Sequence, residues 1–565
     1  MDGFAIAAIV SELNQVLAGS RIQKIQQPTP WEIHLLVRNQ GQNYRLLLSA
    51  HPKWARLHVS RWQKINPLSP PMFCMVMRKH LEGGKILQFN QEGFERVVEI
   101  LIENTDELGQ LAQRRLLVEI MGKHSNIILV DPVSNLIYDG IKRYTHAVSR
   151  HREVLPGRPY LPPPPQEKAI PGHILEEEWG PLLLAAGENL TLSQALQKTV
   201  AGFSPKRAAD LVKKAGLDPD FPLDQVGNYE LTKTWLALQD LLAELGKGPH
   251  PLYYNYLADA EYQRLEAEEI LHSQRQNLLR LVKEEINRLQ KRREFQEKAL
   301  AEAASGEKYK LFGDLLAAHL YQWQPGLTEL TVPNYYDPEL KPLTIPLQPE
   351  LTASEQVEHF YKKYGKLRSA ERMATEQLET IIRDLQYWES VATNLENAED
   401  ARVLAEIREE IAAAGLLKQT GRQRKPEKAE EISQPTRFKT RDGYLFLVGR
   451  NNRQNDYLTL RLARSEDYWF HTRDIPGSHV ILKWNSPDPP PAELLQTGAL
   501  LAAWFSKARH SSQVPVDYTQ RKNVKKPRGA KPGFVIYEQQ KTLYVNPGPE
   551  ILTRLTTAKE DENED

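Results

Sequence analysis

FYKKYGKLRSAERMATEQLETIIRDLQYWESVATNL, residues 360–395, places an apolar side chain at every seventh position: Phe360, Leu367, Ala374, Ile381, Trp388 and Leu395. A second row, Tyr364, Leu378, Leu385 and Ala392, is broken only by Glu371. Two rows at heptad spacing with charged flanks specify a helix that packs along its length on another helix. The pattern extends over about 355–416. Its partner is the charged stretch 258–300, with a weaker row at Leu271, Leu278, Val282 and Leu289. Two long helices separated by a compact segment predict an antiparallel coiled-coil arm over 258–417, with the segment 301–353, which holds Pro-rich strand-like pieces, at its tip.

On either side of the arm the pattern changes. Residues 1–166 read as a mixed α and β domain. Phe4, Ile6, Ala7, Val10, Leu13 and Leu17 predict an opening amphipathic helix, and 71–81 a second helix. The runs 33–37, 45–48, 97–102, 116–121 and 126–130 predict strands. LPGRPYLPPPPQ, 155–166, ends the domain as a stiff, extended spacer. Residues 167–257 include two short helices around GFSP (Gly202–Pro205), the shape of a helix-hairpin-helix. Such a hairpin offers backbone N–H groups to phosphates; a purely structural helical unit fits the same residues. Residues 418–435 are poor in apolar side chains and read as a linker, 436–547 as a second αβ domain, and 548–565, with its KEDENED end, as a disordered acidic tail. The expected fold class is α+β, multidomain.

Composition removes several classes of function. The 73 Lys and Arg balance 73 Asp and Glu, so a nucleic-acid site must come from local concentration of cations, not from overall charge. Cys74 is the only cysteine, which excludes an internal disulfide and any zinc finger or ribbon. The opening MDGFAIAAIVSEL lacks the basic and apolar regions of a secretory signal, and no apolar run approaches the ~18–20 residues of a membrane span, so a cytoplasmic location without membrane contact is expected. None of the phosphate-cradling glycine loops, zinc-protease motifs or nucleophile elbows occurs. The expectation is a binding protein with no catalytic residue, cofactor or metal of its own.

Three clusters carry the candidate chemistry. In GFERVVEI (93–100), Glu95 and Arg96 stand at a strand entrance, where a carboxylate can accept from base amino groups and a guanidinium can bind phosphate or a base edge. An isolated Glu-Arg pair is more often a solvated surface pair. In EIMGKHSNIILVD (119–131), Gly122 permits a tight turn between strands and gathers Lys123, His124, Ser125 and Asn126 at its tip. In the last domain, DYWFHTRDIPGSHVIL (467–482) sets Trp469, Phe470, His471, Arg473 and Asp474 beside a Pro-Gly turn; the aromatics suit either base stacking or a core. Downstream, Arg521, Lys522, Lys525, Lys526, Arg528 and Lys531 form a dense cationic loop with almost no acid, the strongest sign of RNA contact.

These blocks, together with PPMFCMVMRKHLEGGKI, LPGRPYLPPP and HFYKKYGKLRSA, resemble in order the signature blocks of the NFACT family, from Met1 to about Pro547. The resemblance implies an N-terminal NFACT domain, a helix-hairpin-helix, a coiled-coil arm and a C-terminal NFACT domain. It implies a ribosome-associated quality control factor: a partner in the large ribosomal subunit carrying peptidyl-tRNA, recruitment of charged alanyl-tRNA, and template-free tailing of the stalled chain, with the ribosome making the bonds and the factor a monomer upon it. It assigns tRNA contact to Glu95, Arg96, Glu119, Gly122, Lys123, His124 and Asn126. Ribosome or RNA contact falls to His471, Arg473, Asp474, Arg521, Lys522, Lys525, Lys526 and Arg528. One departure stands out. The family's Asp-Arg pair is Glu95-Arg96 here, which moves the carboxylate outward by about 1.5 Å. Two alternatives are a fibronectin-binding adhesin, a label some family members carry, and a DNA glycosylase of the Fpg layout. The second is not expected, since those enzymes use an N-terminal proline and usually a zinc finger, whereas this sequence begins Met-Asp and has one cysteine.

Overall fold

The chain opens on α1 (Gly3–Leu17), capped by the Asp2 carboxylate, which accepts from Ala5 N at 2.8 Å. Strands β1 (Arg21–Thr29), β2 (Glu32–Asn39), β3 (Gln42–Ser49) and β4 (Arg56–Val59) follow as a meander. Then come α2 (Met72–Leu81) and β5 (Lys85–Asn90), β6 (Val97–Thr105), β7 (Leu111–Glu119), β8 (Asn126–Val130) and β9 (Ile137–Gly140). All nine strands form one antiparallel sheet, ordered β4-β3-β2-β1-β5-β6-β7-β8-β9. Neighbours in sequence are neighbours in space except where α2 carries the chain back and Arg21 pairs with Lys85. One face of α1, with Ile6, Ile9, Leu13 and Leu17, and Cys74 and Met77 of α2 are buried against the sheet. This computed structural model describes residues 1–105, 109–147, 149, 151–417 and 433–557, in two compact units, Met1–Glu268 and Glu269–Asp565. The linker reading, over 418–432, and the acidic end, 558–565, lie outside the described residues.

Still in the first unit, α3 (Glu176–Leu184), α4 (Leu192–Thr199), α5 (Pro205–Lys214) and α6 (Asn228–Ala243) form a small bundle around Trp179, Leu196, Leu211 and Leu238. Ser204 caps α5 and Pro205 starts it, so the GFSP turn ends in a well-defined helix N-terminus. The long α7 (Tyr253–Ala303) begins on the sheet domain. Buried Glu12 accepts from Tyr254 N, Asn255 N and Asn255 Nδ2 at 2.8–3.1 Å, a carboxylate set at a helix N-terminus. Asn255 in turn accepts from Val59 N at 2.9 Å, so a helix side chain covers a donor on the edge strand β4.

In the second unit, the remainder of α7 lies antiparallel to α9 (Ala353–Glu396). Arg275 donates to Ala398 O at 3.2 Å and Gln296 to Gln377 at 2.8 Å, which fixes the direction. Leu278, Val282 and Leu289 meet Ile381, Leu385, Trp388 and Leu395 in one buried seam. The stretch read as a single helix breaks after Glu396: Asp400 accepts from Arg402 N at 2.6 Å and starts α10 (Ala401–Ala413). The segment between the two long helices holds α8 (Gly306–Ala318) and a hairpin of β10 (Glu329–Pro333) and β11 (Pro342–Pro346). Phe360 packs there, with Phe312 and Ile345, and not in the long seam.

The last domain comprises β12 (Thr436–Lys439), β13 (Leu445–Val448), α11 (Asn452–Tyr457) with a π-helical turn at Leu458–Leu462, β14 (Tyr468–Thr472), β15 (Val480–Leu482), α12 (Ala492–Trp504), β16 (Val514–Gln520), β17 (Val524–Lys525), β18 (Ile536–Tyr537), β19 (Lys541–Val545), α13 (Glu550–Arg554) and β20 (Thr556–Thr557). Seven strands form a sheet ordered β19-β16-β14-β15-β13-β12-β20. On α12, a Cβ at Gly498 would lie 2.7 Å from the Phe470 ring, so glycine is what lets the helix sit this close. The domain does not end at 547, where the sequence reading placed the start of a disordered tail: Ile551 and Leu555 are core residues, and β20 pairs with β12.

Candidate nucleic-acid interface

The turn before β6 is held from several directions. Gly93 and Phe94 both have positive φ, 52° and 63°. For an aromatic residue that conformation costs on the order of 1–2 kcal/mol and persists only where the surroundings impose it. Glu95 N donates to Glu92 O at 2.7 Å, and Ile120 N donates to Arg96 O at 2.8 Å. The register continues as Val97↔Glu119. It therefore brings two clusters that are separate in sequence, Glu95–Arg96 and the 3-10 turn Gly122–His124, to the same end of the sheet.

Glu95 and Arg96 line an open cleft of about 850 Å³. Its other walls come from the α4–α5 turn (Gly202–Arg207), from Lys168 and from Tyr254, Leu257 and Tyr262 of α7. Asp2 is committed, accepting from Ser204 Oγ at 2.9 Å and Arg207 Nε at 3.3 Å. Lys168 donates to Gln197 O at 2.8 Å; burial and then the Arg96 charge lower its pKa, with Glu95 opposing. The side chains of Glu95 and Arg96, by contrast, are half-buried and take part in no hydrogen bond or ion pair among the described residues, not even with each other. A surface ion pair is thus excluded. What remains is an acceptor and a forked cation facing an open cleft, with Lys206 exposed at its rim.

Two residues assigned to tRNA contact are buried structural groups instead. Glu119 is fully buried; its two oxygens take Arg152 NH1 and NH2 at 2.7 and 2.5 Å, and Tyr160 OH donates to it at 3.0 Å. Asn126 is equally buried and clamps residue 142, donating to Lys142 O and accepting from Lys142 N, both at 3.0 Å. Gly122, at φ 59°, and Lys123 and His124 are exposed. The residues the sequence reading missed here are Lys168, Lys206, Arg207 and Phe94. The flagged GFSP turn was the available signal, but nothing in the pattern says which sheet edge it faces.

In the second unit, Trp469 and Phe470 are fully buried, which settles their role as core. The His471 ring is half-buried, stacks on Trp469 and meets His479 edge-on; desolvation pushes its pKa down to about 4, so it stands there as a neutral ring. Arg473 is tied to Asp517, with Nη2–Oδ1 at 2.8 Å. Asp517 also accepts from Tyr537 OH at 3.0 Å and Thr542 Oγ1 at 2.7 Å. Asp474 is exposed, at φ 54°. In the cationic loop, Arg521 donates to Thr459 O at 2.8 Å, Lys526 pairs with Asp456, and Lys531 pairs with Asp384 of α9 at 2.5 Å. Lys522, Lys525 and Arg528 remain exposed, with no side-chain partner among the described residues. Three of the six cations that the sequence gathers on the loop already have a protein partner, two of them an aspartate.

A multidomain αβ scaffold that presents uncommitted cations on an open cleft and on a loop has the chemistry to bind nucleic acid. The comparisons agree: the chain belongs to the NFACT family. The model for the NFACT N-terminal and middle domains matches residues 2–262 and 252–430, and that for the NFACT protein RNA binding domain matches 434–538. The Rqc2 homolog RqcH of Bacillus subtilis (strain 168) is 36% identical, with 98% of this chain and 99% of the relative covered. The Rqc2 homolog RqcH of Streptococcus suis (strain 05ZYH33) is 36% identical, with 97% and 98% covered. These relatives place the chain in the ribosome quality control family. Among solved structures, the C-terminal part of the fibronectin/fibrinogen-binding protein from Streptococcus suis is 35% identical, covers 50% of this chain and 98% of its own, and has a TM-score of 0.39.

Proposed function

We propose that this protein binds the large ribosomal subunit while it still carries peptidyl-tRNA, recruits a further charged tRNA, alanyl-tRNA, and promotes template-free extension of the stalled chain, marking it for degradation. The ribosome makes the peptide bonds; the protein contributes binding and positioning, in the cytoplasm, as a monomer on the subunit. The observation that supports this reading most is the uncommitted Arg96 guanidinium, half-buried in an open cleft beside an equally uncommitted Glu95. Partial burial of an unpaired cation is unfavourable, and an arriving phosphate or base edge offsets that cost. A second reading, ribosome binding without tailing, is favoured by Glu95 standing where the family usually has Asp.

Affinity purification from native cells, with sequencing of the bound RNA, tests both. Large-subunit RNA without small-subunit RNA, together with enriched tRNA, is the expected result. Arg96→Ala is expected to keep the ribosomal RNA and lose tRNA by about tenfold, as one charge-assisted contact is worth. Ribosomal RNA without tRNA in the unaltered protein selects the second reading, and no ribosomal RNA overturns both.

A further inference from the structure

The Glu95–Arg96 turn is fixed from outside its own sheet. The Phe94 ring stands 4.7 Å from that of Phe4, which stands 4.6 Å from that of Phe203. Phe4 and Phe94 both pack against the core of the α3–α6 bundle, so a loop of the sheet is anchored in its helical neighbour. On the other side of the turn, the Gln91 side-chain amide donates to two carbonyls, Gly3 O at 2.9 Å and Glu95 O at 2.8 Å. There is no slack: a Cβ at Gly3 would lie 2.1 Å from Phe94 O and 2.6 Å from Gly202 Cα. The left-handed backbone at Phe94 is held by these contacts, since nothing in an isolated Gly-Phe-Glu sequence favours it.

We propose that Gln91 and Phe94 are positioning residues for Arg96: the amide fixes the Glu95 carbonyl, the ring fixes the turn to the helical bundle, and the Arg96 backbone is thereby held so that its side chain starts from one fixed point at the cleft. This rests on the reading of Arg96 as a tRNA contact. A binding group gains its specificity from the shell that holds it, and a supporting residue acts only through the group it supports. The bundle then serves the site by anchoring its backbone, besides lining its cleft.

The test is a double-mutant cycle in the full chain, with binding of purified alanine tRNA as one readout and amide hydrogen exchange at Glu95 and Ile120 as the other. Phe94→Ala and Gln91→Leu are each expected to weaken binding about tenfold, matching Arg96→Ala, and to speed exchange at both amides at least tenfold while the thermal transition persists. Phe94→Gly relieves the backbone but lacks the ring, and is expected to behave like Phe94→Ala. Phe94→Ala combined with Arg96→Ala should bind no more weakly than Arg96→Ala alone. Additive losses, unchanged exchange, or full binding by Phe94→Gly would overturn the proposal. If Arg96→Ala alone binds as the unaltered chain does, the tRNA reading fails, and faster exchange in Phe94→Ala then shows that the turn is held for another purpose.

Discussion

His471 sits in a block that reads as RNA-binding, yet its half-buried ring packs with those of Trp469 and His479 in a three-way aromatic cluster. Burial holds it neutral, with a pKa of about 4 against an ordinary 6.5. The sign of the consequence follows directly. Above pH 6.5 neither folded nor unfolded state takes up the proton; below it the unfolded chain does first, so stability falls as pH drops toward 4. By pH 5 this costs about 2 kcal/mol, and denaturant titrations at pH 7.5 and pH 5 on the unaltered chain and on His471→Phe should show the pH-dependent loss shrink by that amount in the variant. An equal loss in both would mean that His471 is not held neutral in the fold. Residue type alone could not have told packing from contact. Glu119 and Asn126 stand in a polar run as suggestive as Glu95–Arg96; what consumes Glu119 is Arg152, distant in sequence, and no local pattern announces that pairing. Arg96 was legible as a chemical type, whereas its freedom from partners is a property only of the fold.

Helical elements were the more readable ones. The heptad rows in α9 depend on local spacing, and Ile381, Trp388, Leu395, Leu378 and Leu385 are buried where those rows place them. The break after Glu396 was hidden because apolar spacing resumes in α10 with Val403, Leu404 and Ile407. Strand β1, RIQKIQQPT, escaped notice for the opposite reason: it is mostly polar, ends near Pro28 and carries two register shifts, so its alternation is broken although Ile22 and Ile25 are core residues. The buried seam between α7 and α9 also gives a quantity to measure. Trp388→Ala should cost about 3–5 kcal/mol, seen as an earlier urea transition and new protease cleavage within 270–396, with fragments of 1–268 remaining resistant. Unchanged protease resistance would mean that the long helices do not depend on that seam.

For the whole molecule, net charge is zero and binding must come from where uncommitted cations lie. On the cationic loop of the C-terminal domain that leaves Lys522, Lys525 and Arg528, because Lys526 and Lys531 already neutralise Asp456 and Asp384 and Arg521 donates to Thr459 O. Replacing the three free cations by alanine should lower the slope of log affinity for large subunits against log salt by about 2–3, and Lys531→Ala alone should leave it nearly unchanged. Equal slopes in the triple variant would put the phosphate contacts outside this loop. The pairing of β20 with β12 has a consequence of another kind, for the protein's own birth. Strand β12 is made early and its neighbour last, so during synthesis β12 waits as an open edge, while the pocket for Ile551 and Leu555 waits unfilled. A chain that lacks this last strand keeps β12 open on one side, an edge on which the strand of another chain can pair.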